Sequence, residues 1–289
     1  MHARSRSRAP GLLVAALAAA AAACASGCPT PGPAGPTLKA SDVPRTTPGV
    51  IALADDLYGR GDRASLENAL FALEEGRSRA GGDVELAWRA ARAAAALAGD
   101  PDVARARRLE LAARGVEHAR AALAAAPDTA PAHYYLAINL GLRAQALAAT
   151  GATGGLETVP AIADAARSVI RLSPGYDHAG AFRLLGMLLV RAPPWPASIG
   201  DVAEGVRNLE EAVRRDGDFP LNHLLLAEGL IEAGEYARAH SEIDLVLAAP
   251  PEGEWGRIGA RWRAHAKELL DEIARLTGGG EGGDGEIPR

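Results

Sequence analysis

The chain has 289 residues, with 31 Lys+Arg against 36 Asp+Glu, 48% hydrophobic and 4% aromatic residues, 33 glycines and 19 prolines. Its only cysteines, Cys24 and Cys28, sit together near the start, which excludes a disulfide-stapled miniprotein and a cysteine zinc site in the body. The net charge is −5, and Arg4, Arg6 and Arg8 precede Ala23 with no acid among them. The body is therefore more acidic still, which argues against nucleic acid and against an electrostatic grip on anionic lipid.

In chain order, the first element is an address. Residues 1–23 join a basic start to an uncharged run from Gly11 to Ala23, too short to span a bilayer and patterned as a secretory signal. Ala21-Ala22-Ala23 precedes Cys24, and Ala25-Ser26-Gly27 precedes Cys28. Small residues before a cysteine resemble the lipobox of bacterial lipoproteins, which implies cleavage before Cys24, the preferred site, or Cys28, followed by acylation. The expectation is an exported, lipid-anchored protein facing the periplasm, with the membrane touched through the anchor alone. Ordinary signal-peptidase cleavage to a soluble product is the alternative. Residues 24–41, with Pro29 to Pro36 at their centre, read as a Pro/Gly-rich tether. Residues 277–289 read as a disordered Gly-rich tail.

Between residues 42 and 276 apolar residues recur at three- and four-residue spacing without strand alternation, predicting an all-α body. Gly and Pro punctuation delimits helices over Ala64–Arg79, Val84–Ala98, Val103–Ala126, Ala132–Ala149, Pro160–Leu172, Ala179–Arg191, Val202–Arg215, Leu221–Ala233, Tyr236–Leu247 and Trp255–Leu276. The tetratricopeptide pattern of about 34 residues fits best from Pro220 to Gly253, with Leu226-Ala227, Leu230, Gly234, Ala239 and Pro251 on its landmarks. The same frame starts at Ala130, with Leu136-Ala137, and at Ala179, with Leu185-Gly186; a weaker repeat begins near Val84. Loops over Thr150 to Leu156 and Ala192 to Gly200 absorb the extra length. The predicted fold is a tetratricopeptide-like helical hairpin solenoid closed by a C-terminal capping helix carrying Trp255, Ile258, Trp262, Leu269, Ile273 and Leu276 on one stripe.

The segments around His133-Tyr134-Tyr135 and Asn139, Ser173-Pro174, Tyr176-Asp177, Arg183 to Gly186, the loop Trp195-Pro196-Ala197-Ser198-Ile199-Gly200-Asp201, Asn222, and Leu226 to Glu228 look like the T component of TRAP transporters. Members of that family are periplasmic tetratricopeptide lipoproteins, so the resemblance implies partnership with a solute-binding protein and a transport role. In the loop, Asp201 with Glu204 reads as a helix cap, and Trp195 as a cover over the hairpin's open end.

No nucleotide, metal or hydrolase motif is present, so the sequence predicts no cofactor, no metal site and no enzyme. His133 and His223 read as satisfied packing histidines, and Asp177 beside His178 as a helix cap. Concave positions of the repeats predict a groove lined by Trp88, Tyr134, Ile138, Arg183, Met187, Leu224 and Glu228. Arg183 would anchor a carboxylate, with Asn139 and Asn222 orienting the ligand. Such a groove suits a small organic or hydrophobic molecule or an extended peptide. Two functions follow: an accessory of a TRAP-type solute transport system, or an envelope scaffold for protein–protein assembly without a small ligand. Homo-oligomerisation is left open.

Overall fold

Alanine dominates the interior-facing positions, and alanine both favours the helix and lets two helix backbones come close. The computed structural model describes residues 36–148, 155–250 and 256–278. The signal segment, Cys24 and Cys28, most of the tether, the tail beyond Gly278 and Trp255 lie outside the described residues. Among the described residues there are eleven α-helices: α1 Thr47–Arg60, α2 Arg63–Ala80, α3 Val84–Gly99, α4 Arg105–Ala125, α5 Ala130–Ala148, α6 Val159–Leu172, α7 Tyr176–Arg191, α8 Val202–Arg215, α9 Pro220–Glu232, α10 Tyr236–Ala248 and α11 Gly256–Gly278. None of them is long and apolar enough to cross a membrane.

The helices stack as hairpins, α1 with α2, α3 with α4, and so on to α9 with α10, with α11 packed on α9 and α10 at the end. The α1–α2 hairpin extends the solenoid beyond the predicted first repeat. Thr46 caps α1, Pro48 opens it and left-handed Gly61 closes it. Elsewhere Asp62, Asp83 and Asp201 cap α2, α3 and α8 by accepting from the N–H groups of Ser65, Leu86 and Glu204 at 2.9, 3.0 and 2.9 Å.

The two helices of each hairpin bury themselves differently. In α3, α5, α7 and α9 most residues are buried, including the unbroken stretches Ala179 to Val190 and Pro220 to Ile231. Helices α4, α8 and α10 bury one stripe each, such as Leu111, Ala112, Gly115, Val116, Ala119 and Ala122. The first helices pack on one another as well as on their partners, so they form an axis sheathed by the second ones. Helix α7 joins two cores. Leu184, Leu185, Leu188 and Leu189 face the N-terminal one, while Met187 and Val190 face the C-terminal one. On α11, Trp262, Leu269 and Ile273 are buried, but Leu276 is exposed, so the predicted stripe ends one turn early.

The α7–α8 crossing explains the requirement for small residues. A Cβ on Gly186 would stand 2.7 Å from Leu209 Cγ and 2.9 Å from the Gly205 carbonyl, and a Cβ on Gly205 2.8 Å from the Gly186 carbonyl. The two backbones touch. Gly186→Val is expected to lower stability by about 1–3 kcal/mol through overpacking. Gly59→Ala, where an added methyl meets nothing within 4 Å, should raise it by up to about 1 kcal/mol through helix propensity. Urea denaturation of both variants checks the pair, and equal losses would contradict this packing.

Candidate functional site

The polar residues singled out as ligand-handling gather inside the solenoid, where each holds helices together. The largest cluster forms where the chain passes from α6 to α7. Asp177, His178 and Ala179 occupy left-handed backbone with φ of 51°, 55° and 61°, unfavourable for residues with a Cβ. Measured to the first residue of each repeat, the equivalent turns run from cap Ala126 to Ala130 and from cap Asp216 to Pro220, whereas this one runs from Ser173 through the non-helical residues 177–179 inside the first turn of α7. It is two residues longer.

Arg183 fills the space this turn encloses. Its side chain is wholly buried. Nη1 donates to the His178 carbonyl and, at 2.8 Å, to Asn222 Oδ1; Nη2 donates to the Asp177 carbonyl at 2.8 Å and to Asp177 Oδ2 at 3.0 Å. Tyr134 Oη donates to the same carboxylate oxygen at 2.5 Å. Asn222 Nδ2 donates back to the carbonyls of Asp216 at 2.7 Å and Ala212 at 3.1 Å, tying α9 to the end of α8. The guanidinium lies 4.8 Å from the Phe219 ring centroid, and Phe219 in turn meets Trp262 of α11 edge-on at 5.5 Å. His178 stacks on Phe219 at 4.2 Å and pairs with Asp216 at 2.7 Å. Gly180 is required because a Cβ there would sit 2.3 Å from Tyr134 Oη.

The predicted carboxylate anchor is therefore a buried pin: both terminal nitrogens bond the protein's own carbonyls and side chains, and Nε alone has no hydrogen-bond partner among the described residues. Asp177 likewise does not cap a helix; its carboxylate faces Arg183 and Tyr134. Asn139, fully buried, donates to the carbonyls of Ala91 on α3 at 3.0 Å and Tyr135 at 2.7 Å. Its carboxamide rests on Gly115 of α4, where a Cβ would be 2.0 Å from Oδ1.

The remaining groove candidates are buried too: Trp88, Tyr134, Ile138, Met187, Asn222, Leu224 and Glu228. Trp88 stacks on Tyr135 with centroids 6.3 Å apart, lies under the Arg89 guanidinium at 4.2 Å and donates to Glu85 at 3.1 Å. Contacts between successive first helices close the face that the repeat pattern leaves open. His133 and His223 hold the preceding turns, their Nε2 groups 2.8 Å from the Pro127 carbonyl and 2.7 Å from the Gly217 carbonyl.

Glu228 is the centre of a charge cluster that the sequence did not signal. It accepts from Arg191 Nη2 of α7 at 2.5 Å and from His265 Nε2 of α11 at 3.0 Å. The hydrogen bond to Glu228 pushes the His265 pKa up to about 9 from 6.5. Among the described residues no three His, Cys, Asp or Glu side chains gather as metal ligands.

The α7–α8 loop departs furthest from expectation. Trp195 does not cover the hairpin; it is 85% exposed. Pro196 is exposed and Ser198 half-buried, while Ile199 packs inward on the N-terminal core. Gly200 donates to the Pro193 carbonyl at 2.9 Å and Asp201 to the Leu189 carbonyl at 3.0 Å, closing the loop at its base. The bracketing prolines at 193, 194 and 196 were the one available sign that this tryptophan is held away from the core.

With this geometry in place, a profile for the family described as Regulator of microtubule dynamics protein 1-3 matches residues 50–159. No curated protein matches the chain. A thermophilic TPR protein of Thermus thermophilus superposes with a TM-score of 0.57 at 17% identity, over 77% of this chain and 98% of that one. MamA, from residue 41 to its end, of Desulfovibrio magneticus RS-1 gives a TM-score of 0.44 at 16% identity, over 79% and 94%. The class defined is thus an all-α tetratricopeptide-like solenoid. The particular resemblance expected from the sequence is corrected, because the matching family is not the TRAP transporter T component. Its Leu-Gly and Leu-Ala-Glu segments are hairpin-crossing residues that any such repeat needs.

Two outcomes test the site. Arg183→Met should cost about 3–5 kcal/mol because Asp177 and Asn222 lose a buried partner, and Arg183→Lys should restore little of it, since an ammonium cannot fork between two carbonyls and a carboxamide. Thermal denaturation reads both. For His265, stabilisation is full below its unfolded value of 6.5 and lost as pH rises through about 9. The imidazole is two-fifths exposed, so solvent limits the size. Stability should fall between those pH values, and His265→Gln should flatten that slope; an unchanged slope would contradict the pairing.

Proposed function

We propose that the protein is a non-enzymatic helical-repeat scaffold whose partner is another protein. The observation that carries this reading is the tetratricopeptide-like solenoid, because stacked hairpins present long continuous surfaces suited to protein partners. The interior supports it, since Arg183, Asn139 and Asn222 are engaged as struts between helices. The family matching residues 50–159 is named for regulating a protein polymer, which accords with a protein-facing role for α1 to α5.

The scaffold is further proposed to be exported and held at a membrane surface by acylation at Cys24 or Cys28. The support is the arginine-led apolar run, the small residues before both cysteines and the proline-rich stretch that follows them.

Cross-linking of the full chain in cells that make it, read by mass spectrometry, is expected to yield a discrete protein adduct. Recovery of a stoichiometric small molecule with no protein adduct would overturn the scaffold reading. In the same cells an alkyne fatty acid should label the chain and fail to label Cys24→Ser or Cys28→Ser. An unlabelled, freely soluble wild-type chain would overturn the anchor.

A further inference from the structure

Trp195 is more exposed than any other large apolar side chain among the described residues. It is not loosely placed. Ala197 donates to the Pro194 carbonyl at 3.1 Å across the loop tip, the base is bonded to Pro193 and Leu189, and Gly200 sits where a Cβ would be 2.0 Å from the Ala192 carbonyl. An indole presented to solvent from a loop whose backbone is braced at tip and base has the placement of a contact residue.

The loop enters α8 at the edge of an open groove of about 570 Å³ between the first turns of α8 and the α9–α10 turn. Val202, Ala203, Val206 and Ala233 contribute apolar surface. The charged rim is lopsided. Glu210, Glu232 and Glu235 line the groove, and Asp201 and Glu204 stand at the start of α8. Against these five carboxylates are Arg207, Arg238 and, beside Glu232 at 3.9 Å, Arg191, which Glu228 also holds. Arg207 is already paired with Glu204 at 2.5 Å, and Arg238 with Glu210 at 2.5 Å and Glu235 at 2.6 Å.

We infer that this edge of the solenoid docks an arginine- or lysine-bearing segment of a partner protein, with one cationic side chain over the Trp195 indole and the next toward the acidic rim. Tryptophan is the best cation–π acceptor among side chains, and the surplus of carboxylate repels an acidic segment. The inference rests on the protein-binding reading above and adds where the partner sits and what charge it brings.

Fluorescence anisotropy of the full chain tests it, with labelled peptides of alternating arginine and alanine, of alternating glutamate and alanine, and of proline-rich sequence as probes. The arginine peptide should bind at least about tenfold tighter than the glutamate peptide. Trp195→Ala should weaken it by about 3- to 30-fold, the range of a cation–π contact, and Glu232→Gln should weaken it further. Because Trp195 is exposed, its replacement should leave the melting temperature unchanged, so lost affinity cannot be ascribed to unfolding. Equal binding of the arginine and glutamate peptides, an affinity unmoved by Trp195→Ala, or preference for the proline-rich peptide would overturn the inference. So would a dimer in sedimentation that Trp195→Ala abolishes, since the occupant would then be a second copy. If the cross-linked protein adduct persists while these peptide results fail, the scaffold stands and only this placement falls.

Discussion

A buried guanidinium sets the geometry of the C-terminal half of the molecule. Arg183 sits in α7, the helix whose two faces build two different cores, and it holds the left-handed residues 177–179 that interrupt the first turn of that helix. Three consecutive residues with a Cβ in left-handed backbone are costly in isolation. They persist because the carbonyls of Asp177 and His178 point at one cation that has no water to turn to. Through Asn222 the same cation fixes α9 against α8, and through Phe219 it reaches the capping helix. Removing it would affect four helices at once.

A second consequence concerns where recognition takes place. Because first helices α3, α5, α7 and α9 are mostly buried, the polar side chains singled out on them bond chiefly to one another and to the backbone. What remains outward is the half-exposed second helices and the hairpin tips. Among the described residues, the tip between α7 and α8 combines an exposed aromatic ring with an apolar-floored groove and a carboxylate rim. Position in the solenoid, more than residue type, thus separates structural polar residues from those free to meet a partner.

Much of this architecture was legible in the sequence, and particular residues show why the rest was not. Glycine and proline stops placed ten helices within a few residues, since those signals act locally. Helix α1 went undelimited although Thr46, Pro48 and Gly61 frame it and Val50, Ala54 and Leu57 fall on one face, because it matched no repeat landmark. Gly186 was readable through the repeat frame. Arg183 was not, because repeat position alone marks a concave site and cannot show that two extra residues upstream fold back over it. Nor could spacing show that Trp195 points outward, since an aromatic residue is usually buried for its area and only the surrounding prolines oppose that expectation.

Amide hydrogen exchange on the native protein, compared with the Arg183→Met variant, tests the central claim most directly. If the buried cation is what holds the long turn and joins its neighbours, protection should fall together at the starts of α7 and α9 and the end of α8, while α2 to α5 keep theirs. Protection that is unchanged at those three places, or lost evenly along the whole chain, would contradict it.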